Sequence, residues 1–471
     1  MQNNSEKSAP KGHTRTQWAV AILVNSTVLT YGLQCGWVSP MTKILQSEES
    51  PVGRPLTDSE LSLIAGIPSL AAVVGILILL YVVETYGRKR AVIIMAFLQL
   101  ICWIIKLCPS NPISLLVSRI FCGLGAGGCF HVVPMYVKEI SQDNIRGTLG
   151  SISALFQSLG ILSMYAIGGY LGYYTVLYFV TAIAVCIFVM LFQVPESPSF
   201  LVNQGKLKES TAAIAYLRGL QIDNKEVQNE MDSIKREDDY YKSIPHITFF
   251  GIFKYKAWRR GFLIMFVLVI LHGLNGVFSI ISYASTVLKN SKMEISPELQ
   301  SLAIPISLTL GTATTMTIVD RLGRKVLLGI TFAVSSLALA SLATNQLLSG
   351  YDWATPSWLP IVAILVTVYS YGGGVSPLPF IIMTEMFNFR IRAKLMGILS
   401  ATAWSMTFVQ LVSFTAVTNT LGVETSFYIF CGINFIGVIL VLFVLPETAG
   451  KTVDQIETKL RNDKHDRNSD I

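Results

Sequence analysis

The stretch Glu139-Ile140-Ser141-Gln142-Asp143-Asn144-Ile145-Arg146 is answered later in the chain by Glu385-Met386-Phe387-Asn388-Phe389-Arg390-Ile391-Arg392. Both stretches open on a glutamate and close on an arginine, and the two glutamates stand 246 positions apart. Moving outward, Tyr86-Gly87-Arg88-Lys89 returns as Leu322-Gly323-Arg324-Lys325 at an offset of 236. Pro195-Glu196-Ser197 returns as Pro446-Glu447-Thr448 at an offset of 251. Each charged cluster sits between long apolar runs. A duplicated set of polar joints between apolar runs predicts an all-α membrane protein of two like halves. Two facing halves point to a transporter with its site between them.

Composition bounds the class. The 471 residues are 52% hydrophobic and only 14% charged, against roughly 25% charged in ordinary globular chains. Charge is also segregated into loops and tails, which is the pattern of helices that satisfy their backbone internally in lipid. A soluble enzyme of this length would carry Lys and Glu on every helical turn, so that class is excluded. The net charge of +7 accumulates at alternate loops, an orientation signal rather than a nucleic-acid stripe. The seven cysteines lie in or beside apolar runs without metal or disulfide spacing, and read as small packing residues. Met1–Gln17 is polar, and the first apolar run is too long for a signal h-region.

Apolar runs of spanning length fall at 18–38, 61–83, 91–107, 113–137, 149–171, 173–194, 261–288, 298–319, 326–348, 358–387, 395–417 and 426–445. About 20 apolar residues cross the hydrocarbon core, so twelve transmembrane helices in two pseudo-symmetric six-helix bundles are predicted. The chain divides into an N-terminal tail (1–17), a first bundle (18–194), a helical linker (195–260), a second bundle (261–445) and a C-terminal tail (446–471). Short helices are expected at Lys206–Leu220 and Lys451–Arg461, with a charged segment at Asn224–Asp239. With the N-terminus inside, only Lys43, Arg54, Lys106, Lys289 and Lys292 fall in external loops. That bias places both termini in the cytoplasm.

Specific strings carry a family likeness. Glu84-x-x-Gly87-Arg88-Lys89-Arg90, Pro134-x-Tyr136-x-x-Glu139, Arg146-Gly147 and Pro195-Glu196-Ser197-Pro198 resemble the sugar porter signatures of the major facilitator superfamily. So do Asp320-Arg321-x-Gly323-Arg324-Lys325, Glu385 with Arg390-x-Arg392, and Pro446-Glu447-Thr448-x-Gly450-Lys451-Thr452. The signatures occur in the family's order along nearly the whole chain. Arg146-Gly147-Thr148-Leu149-Gly150 and Trp37-Val38-Ser39-Pro40 look most like the insect facilitated trehalose transporter branch.

The resemblance implies two bundles that rock about a midplane site in the plasma membrane. It implies that Glu84, Arg88, Glu139 and Arg146 meet Asp320, Arg324, Glu385 and Arg392 across the cytoplasmic gap. Single exposed pairs are worth ~0–1 kcal/mol, but several together bias a two-state carrier. The substrate site departs from the family pattern. Where sugar porters carry Gln-Gln-Leu-Ser-Gly-Ile-Asn in helix 7, this chain has His272-Gly273-Leu274-Asn275-Gly276-Val277-Phe278, aligned on Tyr283. Helix 10 reads Ser376-Pro377-Leu378-Pro379-Phe380 in place of Gly-Pro-x-Pro-Trp, helix 11 reads Ala403-Trp404 for Asn-Trp, and the helix 5 glutamine falls on Ala154.

Replacement partners are visible. Gln157 lies one helical turn from Ala154, and Ser158, Gln34, His272, Asn275 and Thr407 offer further hydrogen bonds, with Phe278, Phe380 and Trp404 as apolar walls. His131 reads as structural. Pro377 and Pro379 should give helix 10 a bendable middle. Proton-linked sugar porters carry an aspartate in helix 1 where this chain has Gln34, which cannot cycle a proton. The reading is a facilitative hexose or trehalose carrier, monomeric, with no cofactor, metal or nucleic acid. A proton symporter and a sugar sensor or orphan carrier are the alternatives.

Overall fold

The computed structural model describes residues 12–109, 111–243, 251, 253–288, 297–351 and 353–461. Among them the secondary structure is helical, and twelve segments are long and apolar enough to cross a membrane. The first bundle comprises α1 (Arg15–Gly36) with α2 (Val38–Leu45), α3 (Asp58–Tyr86), α4 (Arg88–Leu107), α5 (Pro112–Cys129) with α6 (Val132–Ile140), α7 (Asp143–Gly168) and α8 (Tyr173–Met190). Among the described residues three linker helices follow, α9 (Pro198–Asn203), α10 (Leu207–Arg218) and α11 (Lys225–Ser243). The second bundle comprises α12 (Lys256–Gly273) with α13 (Val277–Leu288), α14 (Pro297–Leu322), α15 (Arg324–Gly350), α16 (Leu359–Ser370) with α17 (Leu378–Met386), α18 (Phe389–Leu421) and α19 (Val423–Phe443). A short α20 (Val453–Arg461) packs back on α12 and α17.

Local chemistry sets the helix ends. Thr57 and Glu60 form a reciprocal capping box at the start of α3, and Asn111 with Ser114 does the same at α5, where Pro112 occupies the first turn. In lipid, helices associate through close backbone packing at small residues. Gly32 of α1 and Gly160 of α7 face each other: a Cβ on Gly160 would lie 2.2 Å from the Leu29 carbonyl oxygen, and one on Gly32 2.2 Å from that of Gln157. The bundles meet where α3 packs on α18, α7 on α14 and α2 on α13.

The first, fourth, seventh and tenth spans are each broken. The breaks fall at Trp37, at Phe130–His131, at Leu274–Gly276 and over Tyr371–Pro377. Only the last was expected from the sequence, and its cause is wider than Pro377 and Pro379. A π-turn over Tyr371–Val375, with the Ser376 N–H donating to the Tyr371 carbonyl at 2.8 Å, precedes the prolines. They then occupy the N-cap and the first turn of α17, where missing N–H groups cost nothing.

One expectation needs correcting. Lys106 is not in an external loop. It ends α4 fully buried, with its ammonium 4.1 Å from the Trp37 ring centroid and 4.3 Å from that of Trp103, held by the negative faces of two indoles. The linker docks on the first bundle. Arg218 donates through Nη1 to the Ile140 carbonyl at the end of α6 (2.8 Å) and pairs with Glu230 at 2.5 Å, while its own carbonyl accepts from the His13 N–H. The tail beyond residue 461, and Lys289 and Lys292, lie outside the described residues.

Candidate functional site

At the end of the bundles that carries the linker, the sequence repeat becomes a repeated object. The Arg88 guanidinium donates to both carboxylate oxygens of Glu139, through Nε at 2.9 Å and Nη2 at 2.8 Å. Arg324 donates through Nε and Nη2 to one oxygen of Glu385, Oε1, at 3.0 and 2.9 Å. Ser197 Oγ donates to Glu139, and Thr448 Oγ1 to Glu385 at 2.6 Å. Glu196 accepts from the Arg88 and Lys89 N–H groups at 2.9 and 3.0 Å, and Glu447 from those of Arg324 and Lys325 at 3.1 and 3.0 Å. Both carboxylates therefore cap a helix N-terminus, where the dipole favours negative charge.

Glycine is required at both turns. Gly87 and Gly323 have φ of +101° and +83°, and a Cβ there would press on the Glu196 and Glu447 carboxylates.

These pairs differ from those expected. Arg88 and Arg324 were to bridge the bundles, yet each engages a glutamate of its own bundle. The physical reason is proximity: the turn that carries each arginine opens beside the helix that carries its glutamate. Arg146 and Arg392 each donate to a carbonyl five residues earlier, at Ser141 and Phe387. Glu84 is exposed, and the side chain of Asp320 lies outside the described ones.

Burial pushes the Glu447 carboxyl up, but the N–H groups of Ala449, Lys325, Arg324 and Thr448 together pull it below the ordinary carboxylate range. A depressed folded value means the carboxylate's contribution is complete at neutral pH. It is lost as pH falls below the ordinary carboxylate range and through that folded value. Glu447→Gln should therefore cost about 0.5–1 kcal/mol at neutral pH, a cap-sized figure reduced for partial exposure. The melting-temperature gap to the parent protein should persist at neutral pH and close only on strong acidification.

Between the bundles lies a cavity of about 20 Å³, room for a water. Its polar wall is Gln157, Ser158, Thr312, Tyr371 and Ser376, and its apolar wall Ala154, Ile161, Phe278, Ile281, Leu308 and Pro377. Gln157 and Ser158 from α7 face Phe278 of α13 and the Tyr371–Pro377 break, so both bundles contribute. Thr312, Tyr371 and Ser376 were not anticipated. Tyr371 precedes the Gly372–Gly374 run, which with Pro377 and Pro379 signals that this span is irregular.

Rings close the cavity toward the linker end. Phe278 meets Tyr371 edge-on at 6.0 Å, Tyr371 stacks on His272 at 6.0 Å, and His272 meets Phe380 at 5.7 Å. Phe380 stacks on Phe130 of the first bundle at 6.4 Å, and Tyr31 meets both Phe130 and Trp404. His131 Nε2 lies 2.9 Å from Ser400 Oγ, so this histidine also joins the bundles. Toward the opposite end, Tyr165 Oη donates to the Ile281 carbonyl and Ser62 Oγ to that of Leu411. Contacts between the bundles thus lie on both sides of the cavity.

The remaining expected site residues are engaged elsewhere. Asn275 Nδ2 donates to the His272 carbonyl and its Oδ1 accepts from the Val277 N–H at 2.8 Å, so it caps α13 across the break. His272 Nδ1 lies 2.9 Å from the Val375 carbonyl. Gln34 Nε2 donates to the Gln99 carbonyl at 3.3 Å, and its own carbonyl accepts from Arg119 at 2.8 Å. Thr407 donates to the Ala403 carbonyl, and the Tyr283 ring stacks on Phe414. Among the described residues no cluster of metal-ligating side chains occurs.

Two like bundles closing on a central cavity define a transporter of the major facilitator fold. Sequence comparison agrees: the model of the family described as "Sugar (and other) transporter" matches residues 18–460. The chain belongs to that family of transporters, not enzymes. The facilitated trehalose transporter Tret1 of Aedes aegypti is 27% identical over 448 residues, covering 94% of this chain and 55% of the relative. This chain thus spans about half the length of that mosquito protein. Tret1 of Bombyx mori is 26% identical over 447 residues, covering 94% of this chain and 87% of the relative. Among solved structures, the inward-open xylose transporter XylE of E. coli superposes with a TM-score of 0.78 at 20% identity, over 94% of this chain and 99% of that one.

Proposed function

We propose that this chain is a facilitative sugar transporter of the plasma membrane, with both termini cytoplasmic, working as a monomer by alternating access. The substrates that the resemblance points to are a hexose such as glucose, or trehalose. The observation that carries the reading is the inter-bundle cavity, with Gln157 and Ser158 from one bundle and Thr312, Tyr371 and Ser376 from the other. Ligand pockets run to about 300–1,000 Å³, so cargo of sugar size requires the bundles to part first. Of the spans that line the cavity, the seventh and tenth are broken and supply joints for that motion, with Pro377 and Pro379 beside the π-turn as the helix 10 hinge. The ion pairs of Arg88 with Glu139 and Arg324 with Glu385 hold the linker-end turns rigid, so that each bundle moves as a unit.

Uniport is supported by the first-bundle core. Gln34 stands where a proton-linked carrier needs a carboxylate, and Arg119 is satisfied by the Ile64 and Gln34 carbonyls. The test is uptake of labelled glucose and trehalose by purified protein in liposomes. Uptake should run at equal pH on both sides and gain nothing from an imposed gradient. Accumulation above equilibrium driven by a pH gradient would overturn uniport. Gln157→Ala should raise KM roughly tenfold, because a cavity-facing amide bonds hydroxyls through donor and acceptor together.

A further inference from the structure

We infer, on the reading that this chain carries sugars, that its preferred cargo is a glycoside in which one sugar ring bears an apolar, aromatic aglycone. Asn275 caps α13, Asn434 donates to the Asn275 and Phe430 carbonyls at 3.0 and 2.7 Å, and Gln410 donates to Ser279 at 3.1 Å. Gln34 turns to Gln99, and one nitrogen of His272 to Val375. Among the described residues, Gln157 is therefore the one side-chain amide on the cavity wall.

The hydroxyls there are half used. Ser158 donates to the Leu155 carbonyl and Thr312 to that of Leu308, both at 2.9 Å. They present acceptors to a ligand and no donor. A sugar hydroxyl left without partners in a closed site loses affinity relative to water. A free disaccharide brings two rings of hydroxyls to this short polar arc, and one sugar ring matches it better.

The other wall supplies what a second sugar ring would not need. Phe278, Ile281, Leu308 and Pro377 are apolar, and Phe278 begins the ring series through Tyr371 and His272 to Phe380. Aromatic faces prefer offset or edge contact with another ring, so a flat aglycone placed against Phe278 extends an arrangement already built. The sugar ring then falls against Gln157, Ser158 and Thr312. Recognition divides by wall: the first bundle with Thr312 reads the sugar, and the Phe278 side reads the aglycone.

The experiment compares uptake of labelled glucose, trehalose and phenyl β-glucoside by the purified protein in liposomes at equal pH, with thermal-shift titrations of all three. Phenyl β-glucoside should enter with a KM about tenfold or more below that of glucose, the factor expected for burying an aromatic ring. It should also compete with glucose uptake. Phe278→Ala should shrink the preference to a few-fold, and Ile281→Thr provides a second variant should the first fail to fold. Uptake of glucose or trehalose that phenyl β-glucoside neither joins nor inhibits overturns this inference and leaves sugar transport standing. Absence of uptake and of thermal shift with all three overturns both.

Discussion

Gly160→Val should yield a protein that no longer folds to a monodisperse species or takes up sugar, while Gly160→Ala should fold but melt several degrees lower. A Cβ at this position meets the backbone of α1: the Leu29 carbonyl oxygen at 2.2 Å and the Gly32 Cα at 2.9 Å. Neither can rotate away, so α7 must withdraw from α1. Overpacking costs about 1–3 kcal/mol where side chains can give, and this site offers only backbone. Withdrawal also displaces Gln157 and Ser158, one turn or less away, so the cavity is lost with the packing. Gly150 on the same helix has open space around its Cα, and Gly150→Val should leave melting and uptake unchanged. Parental behaviour of Gly160→Val would contradict the packing of α1 on α7.

The second large effect falls on the linker-end pairs. Glu139→Gln and Glu385→Gln should each lower initial uptake by about tenfold at equal surface expression, and by similar factors. The guanidinium and carboxylate groups of both pairs are 15–25% exposed, dry enough for charge-assisted bonds worth about 1.5–3 kcal/mol yet wet enough that some is screened. Each substitution leaves an arginine with a neutral partner and loosens the Ser197 or Thr448 contact. The charge exchange that suits the observed pairs is Arg324→Glu with Glu385→Arg, which should recover part of the loss. Near-parental kinetics in both single variants would show that the pairs are ornaments of the loops.

Much of this was legible in the sequence. Twelve spans follow from apolar run length, because lipid leaves the backbone no partner but itself. The duplicated charge spacing announced the two bundles, though not the pairing. An offset of 246 says that Glu139 and Glu385 are equivalent, and is silent on whether Arg88 meets one or the other. Gln157 was placed on the wall by helical phase from Ala154, and both line the cavity. Thr312 and Tyr371 were missed because their spans are apolar or small on every face, so periodicity carries no signal there.

Asn275 misled for a local reason. An asparagine in a span reads as substrate-facing, yet the chain breaks at Gly276, whose φ of +100° turns it past the Phe430 ring, and the asparagine caps the helix that restarts. Lys106 misled in the opposite direction. A lysine at the end of an apolar run reads as loop, and only the fold brings Trp37 alongside Trp103 to hold it.

The central claim is that the two bundles open the shared cavity to each side in turn. Interspin distances between labels at Glu48 and Ser349, beyond the closure by Tyr165 and Ile281, and between labels at Asn144 and Lys394, at the linker end, test it in one sample. On adding transported sugar, the two distance distributions should shift reciprocally, one gaining its short population as the other gains its long one. Two distances that move together, or an invariant pair at both ends during active uptake, would contradict the account.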